Sequence, residues 1–171
     1  MSLLNTKISP GSQKEIDAYI GQYPADKIKS ALLPVLHIVQ HDNGGWLSTD
    51  SMDYVANLLN IKPIEVYEVA TFYSMFHTEP IGKVLIEVCH TGPCMICGAE
   101  KIIKHIEDKI NIKVGGTSAD GMFTLKGVEC LGACGYAPMF QIGEAYYENL
   151  TTDKVDEILD QMRSEKLSQN A

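Results

Sequence analysis

Apolar residues recur at helical spacing through the first half of the chain. Ile16, Tyr19 and Ile20 follow Ser12, and Ile28, Leu32, Val35, Leu36 and Val39 form a second stripe in which Pro34 is expected to kink or interrupt the helix. His41-Asp42-Asn43-Gly44-Gly45 breaks the pattern. Ser48 or Thr49 is placed to cap a third helix carrying Met52, Val55, Ala56, Leu58 and Leu59. Pro63 suits the first turn of a fourth, with Ile64, Val66, Tyr67, Val69, Ala70, Phe72, Tyr73 and Phe76 along it. These stripes predict a small helical bundle.

At Pro80-Ile81-Gly82 the period changes. Lys83 to Cys89 is short, apolar and β-branched, so it predicts a strand. Gly98 to Ile110 predicts a helix with Ile102, Ile103, Ile106 and Ile110 on one face. Ile112-Lys113-Val114 is a second strand candidate, ended by Gly115-Gly116, and Phe123 to Cys130 is a third, after the Asp120-Gly121 turn. Met139–Ile142 and Ala145–Tyr147 flank Gly143-Glu144 as a hairpin. Thr151 or Thr152 would cap a last helix with Val155, Ile158, Leu159 and Met162, and the polar tail after Glu165 is expected to fray. The expected fold class is α+β: a helical domain over 1–80, an α/β domain over 81–165 whose element order is that of a thioredoxin-like sandwich, and a tail at 166–171.

Composition narrows the function classes. The chain has 171 residues, 45% of them hydrophobic and 21% charged, as in an ordinary globular protein. Its net charge of −8 disfavours nucleic acid and anionic lipid as partners, since both demand basic residues. No stretch reaches the roughly 18 apolar residues that a bilayer span requires, and Met1 to Lys14 lacks the basic and apolar regions of a secretory signal. A cytoplasmic chain follows as the expectation. In a reducing compartment five cysteines are read as ligands, catalysts or buried thiols before disulfides.

Those cysteines fall in two clusters. Cys89-His90-Thr91-Gly92-Pro93-Cys94 is followed by Cys97, and Cys130-Leu131-Gly132-Ala133-Cys134 stands about 35 residues on. Each cluster begins where a predicted strand runs into a loop rich in glycine, which supplies the dihedrals that let thiolates converge and presents amides to sulfur. The pattern points to a metal centre. Its spacings match neither the two-residue gaps of structural zinc sites nor the plant-type ferredoxin run. Cys94-Met95-Ile96-Cys97 is also formally the motif of a thiol–disulfide oxidoreductase. His90 would raise the potential if it were a ligand, but four cysteines already complete a site. His37, His41, His77 and His105 occupy ordinary helix or loop positions, and Glu65, Glu68 and Glu79 suggest a solvated face. There is no dinucleotide fingerprint and no phosphate-binding loop.

The two clusters, together with Gly45-Trp46-Leu47, Val66-Tyr67-Glu68-Val69-Ala70-Thr71-Phe72-Tyr73, Val128-Glu129 and Ala137-Pro138-Met139, resemble the thioredoxin-like 2Fe–2S ferredoxins, above all those in the NADH dehydrogenase module of respiratory complex I. The resemblance covers about residues 15 to 163. It implies one 2Fe–2S cluster on Cys89, Cys94, Cys130 and Cys134, with Cys97 a free, partly buried thiol. It implies single-electron exchange with FMN in a flavin- and NADH-binding F subunit, within a peripheral arm on the cytoplasmic side of the inner membrane and alongside other complex I subunits. This chain would then have no active site of its own. The helix starting near Cys97 or Gly98 would direct its positive end at the anionic cluster, and Trp46 with the Tyr67–Tyr73 segment would belong to the partner surface. The corresponding subunit of an NAD-dependent hydrogenase or formate dehydrogenase carries similar motifs. A zinc-stabilised interaction module is the rival of a different class.

Overall fold

The computed structural model describes residues 8–168, with side chains to residue 165. The chain divides into two compact units, Met1–Pro80 and Ile81–Ala171. The architecture is α+β: seven α-helices and a four-stranded mixed sheet among the described residues.

The first unit is the expected bundle. Helix α1 spans Pro10–Ile20, a 3₁₀ segment Ala25–Ala31, α2 Leu32–Asp42, α3 Thr49–Leu58 and α4 Pro63–Phe72. Pro34 does not interrupt the second stripe. It lies in the first turn of α2, where its missing N–H would have had no helical partner, and the break falls upstream at Ala31–Leu32. The core is built from Ile16, Val35, Leu36, Val39, Leu47 and Val55, each fully buried. Phe76 is buried too, although α4 ends before it; the chain turns back after Tyr73, and the Phe76 ring meets that of His37 at 4.8 Å. Glu65 does more than face solvent: it accepts the Lys62 N–H at 2.9 Å, closing the start of α4, and binds Lys29 Nζ at 2.6 Å.

Ser48, not Thr49, is the cap of α3. Its hydroxyl accepts the Ser51 N–H at 3.1 Å and bonds the buried Ser51 hydroxyl at 2.8 Å. Ser48→Ala strips a partner from both groups, so a loss of about 1–2 kcal/mol is expected in urea unfolding. Ser48→Asp, which restores the acceptor, should recover most of it.

In the second unit β1 spans Val84–Cys89, α5 Gly92–Ile96, α6 Ala99–Ile110, β2 Phe123–Val128, β3 Phe140–Ile142, β4 Ala145–Tyr147 and α7 Thr152–Ser168. The sheet order is β2-β1-β3-β4, with β1 parallel to β2 and the other pairs antiparallel. Alternation along β1 sends Val84, Ile86 and Val88 into a core with Ile102, Ile106 and Ile110 of α6 and Val155, Ile158 and Leu159 of α7. His105 Nε2 and Asp156 Oδ1, 2.8 Å apart, bond these two helices on the surface.

Ile112–Val114 is not a strand. Asn111 takes the left-handed conformation (φ 52°) that ends α6, and the Ile112 N–H returns to Glu107 O at 3.1 Å, so Ile112 seals a helix terminus. The residues that run beside β2 come later. Gly115 N–H bonds Leu125 O, Leu125 N–H bonds Gly116 O, and Ser118 N–H bonds Phe123 O. Thr151 caps α7 through the Lys154 N–H. Of the expected tail, residues 166–168 continue α7, while 169–171, like Met1–Lys7, lie outside the described residues.

Candidate metal centre

Parallel pairing of β1 and β2 decides where the cysteines go. Two parallel strands finish at the same end of a sheet, so the loops leaving them are neighbours. Cys89, the last residue of β1, stands opposite Val128, the last of β2, and Cys130 follows two residues on. Strand β3 starts from the same end, because it runs antiparallel to β1. The joints are backbone hydrogen bonds: Cys89 N–H to Met139 O at 3.3 Å and His90 N–H to Val128 O at 3.2 Å.

The sulfurs come as two pairs. Cys130 Sγ and Cys134 Sγ are 3.6 Å apart. Two thiolates on one tetrahedral ion, each about 2.3 Å from it, stand about 3.8 Å apart, so this pair fits a shared metal. Cys89 and Cys94 form the second pair, with the Cys94 thiol donating to Cys89. This pair is buried, at 2% and 1% exposure, in a small cluster with Ala99 and Met139, whereas Cys130 and Cys134 are exposed. The pairs are neighbours: the charge of Cys134 bears on Cys94, and that of Cys89 bears on Cys134. Among the described residues no three histidine, cysteine, aspartate or glutamate side chains gather as ligands of one ion. A binuclear centre, which takes two thiolates per metal and completes each with bridging sulfide, fits two pairs.

Donors surround the sulfurs. Burial pushes the Cys89 thiol up, but hydrogen bonds from the Thr91 hydroxyl and N–H, the Cys94 thiol and the Leu131 N–H outweigh it, and the net shift is downward. Cys94 is pushed up to about 11, first by burial and then by the Cys89 thiolate beside it, against a partial offset from the Met139 N–H. Cys134 is raised by its hydrogen bond to Cys130. Gly132, with φ 84°, turns its N–H toward Cys130 Sγ at 3.4 Å. Cys89 is thus the more readily ionised sulfur of the pair, and Cys94 keeps a proton that ligation must release.

Cys97 does not join the four. It is exposed rather than partly buried, and lines a surface cleft with Gly98, Lys101, Pro138 and Leu150. His90 is also exposed, its ring lying over Gly127 of β2. Helix α6 starts later than the motif suggests, at Ala99, and that first residue packs on Cys89 and Cys94. Sequence reasoning missed α5, although Pro93 just after Gly92 is a helix-start signal. It also missed Thr91, Leu131 and Met139 as donors, because no periodicity marks a loop amide aimed at sulfur.

The chain matches the model of the thioredoxin-like [2Fe-2S] ferredoxin family over residues 16–163. It is 46% identical over 146 residues to the E subunit of NADH-quinone oxidoreductase from Rickettsia conorii, covering 85% of this chain and 87% of that one. The corresponding protein of Rickettsia bellii is 42% identical over 167 residues, covering 95% of this chain and 100% of that protein. A mitochondrial NADH dehydrogenase [ubiquinone] flavoprotein 2 from Dictyostelium discoideum is 43% identical over 152 residues, covering 89% of this chain and 62% of that protein. Among solved structures, an NAD+-reducing [NiFe]-hydrogenase in the air-oxidized state has the same fold, with a TM-score of 0.69 at 20% identity. That match covers 78% of this chain and 23% of the hydrogenase chain.

Proposed function

Because this chain belongs to the thioredoxin-like [2Fe-2S] ferredoxin family, we propose that Cys89, Cys94, Cys130 and Cys134 hold one 2Fe–2S cluster and that the chain is an electron-carrying subunit of an NADH:quinone oxidoreductase. The observation that carries this reading is the meeting of two sulfur pairs at one end of the sheet, with 3.6 Å between Cys130 and Cys134. Bound there, the cluster supplies reversible one-electron transfer. The chain's own residues do the rest. Cys89 and Cys94 anchor the buried side, and the N–H groups of Thr91, Leu131, Met139 and Gly132 stabilise negative charge on sulfur. Cys130 and Cys134 present the exposed side, from which a bound cluster would exchange its electron with a partner.

The partner in this proposal is a flavin- and NADH-binding F subunit, which holds FMN beside the cluster. The pair sits in the peripheral arm on the cytoplasmic side of the inner membrane. No helix of the described residues is long and apolar enough to cross a membrane. In the first unit Phe72 is 79% and Tyr73 40% exposed, their rings edge to face at 5.0 Å. Exposed aromatics of this kind suit a protein interface, and we assign them to the contact with the partner subunit. Trp46 and Tyr67 are half-buried, and Tyr67 bonds Asp53.

Anaerobic purification with metal analysis tests the proposal. About two irons and two acid-labile sulfides per chain, with a brown visible spectrum, are expected. One zinc and no visible absorption would establish the zinc-stabilised module instead. The fold shared with the hydrogenase chain favours one further reading, the equivalent subunit of an NAD-dependent hydrogenase or formate dehydrogenase. Co-purification with a nickel–iron or molybdenum subunit would replace complex I by that reading.

A further inference from the structure

Thr91 stands at the N-cap of α5 in extended conformation, φ −85° and ψ 171°. A threonine there ordinarily turns its hydroxyl oxygen toward the N–H groups of the first turn. This one makes no capping hydrogen bond; its Oγ1 lies 3.3 Å from Cys89 Sγ instead. Nothing loose in the backbone accounts for the diversion. Thr91 O accepts the Met95 N–H at 3.0 Å, and His90 N–H is bonded to Val128 O at 3.2 Å. The His90 ring fills the space over Gly127, where a Cβ would come within 2.9 Å of it. The turn is thus held from both sides, and Thr91 is held with it.

A thiolate has no proton to give, so between Thr91 Oγ1 and an ionised Cys89 the hydroxyl is the donor. We propose that Thr91 is a positioning residue that sets the reduction potential: its hydroxyl, withheld from capping α5, donates to the Cys89 sulfur and favours the reduced centre. The inference rests on Cys89 being a cluster ligand. An added electron increases the negative charge shared by the sulfurs, so a donor stabilises the reduced state more than the oxidised one. Cys89 is only 2% exposed, so water is poorly placed to replace a lost donor.

The test is a redox titration of the full chain, purified anaerobically, followed by visible absorption and by the electron paramagnetic resonance of the reduced form. Thr91→Val keeps the shape and removes the hydroxyl; Thr91→Ser keeps the hydroxyl. Thr91→Val is expected to bind its cluster but to show about a tenfold lower reduced-to-oxidised ratio at fixed potential, a shift of about 59 mV to more negative values. Thr91→Ser is expected to titrate with the wild type. A Thr91→Val chain at the wild-type potential, or a Thr91→Ser chain shifted as far as Thr91→Val, overturns the inference. If Thr91→Val fails to load, Thr91→Ala removes the hydroxyl without the branched side chain and is judged by the same shift. An iron-free wild type overturns the ligand reading beneath it, whereas an iron-bearing wild type with an indifferent Thr91→Val overturns this inference alone.

Discussion

Cys94→Ala is expected to abolish the visible absorption of the purified chain and to remove both irons, while far-UV circular dichroism stays unchanged. Cys94 sits inside α5 at 1% exposure, bonded to Cys89 and to the Met139 N–H. The paired experiment is Cys97→Ser, three residues further on. Cys97 is exposed and borders the cleft beside Lys101 and Pro138. Its substitution is expected to leave iron, sulfide and spectrum at wild-type levels. The pair separates the two readings of Cys94-Met95-Ile96-Cys97. A thiol–disulfide centre would need both sulfurs for its activity and hold no iron, whereas a cluster ligand beside a free thiol gives one variant without colour and one that is indistinguishable from wild type. Cluster loss in Cys97→Ser would show that the ligand set is misassigned.

The elements most legible in the sequence are those whose burial is periodic. The stripe Ile102, Ile106, Ile110 on α6 can be read from spacing and β1 from its short β-branched apolar run, and both face one core. Short segments are less legible. Ile112-Lys113-Val114 has the composition of a strand, yet a left-handed Asn111 makes Ile112 the seal of a helix, and the pairing with β2 shifts to Gly115–Ser118, which carries no apolar pattern. Pro34 reads as a breaker until its position is known; in the first turn it costs nothing. At the candidate centre the cysteines announce themselves by clustering, but their convergence depends on β1 and β2 being parallel, and pairing direction leaves no mark on either strand. The donors are harder still. Leu131 and Met139 act through backbone N–H groups, so their side chains say nothing of the role. Thr91 lies in a loop that no periodicity marks, and only the structure shows its hydroxyl turned to sulfur.

Phe140→Ala is expected to destabilise the second unit by about 3–5 kcal/mol, because it empties a fully buried aromatic site. Phe140 opens β3, lies opposite Val88 on β1, and packs its ring 5.3 Å from that of Tyr147 on β4. With a urea dependence of about 1–3 kcal/mol per molar for a small domain, the midpoint should fall by roughly 2 M at unchanged slope. Phe140→Leu, which keeps most of the volume, should fall by less than half as much. The change also reaches the sulfurs. Met139 immediately precedes Phe140; its carbonyl accepts the Cys89 N–H and its own N–H donates to Cys94. Phe140 thus anchors the strand from which both bonds are made. Bleaching of the visible spectrum in urea should therefore move down with the unfolding midpoint in Phe140→Ala. A spectrum that survived to the wild-type urea concentration would show that the buried sulfur pair is held independently of β3.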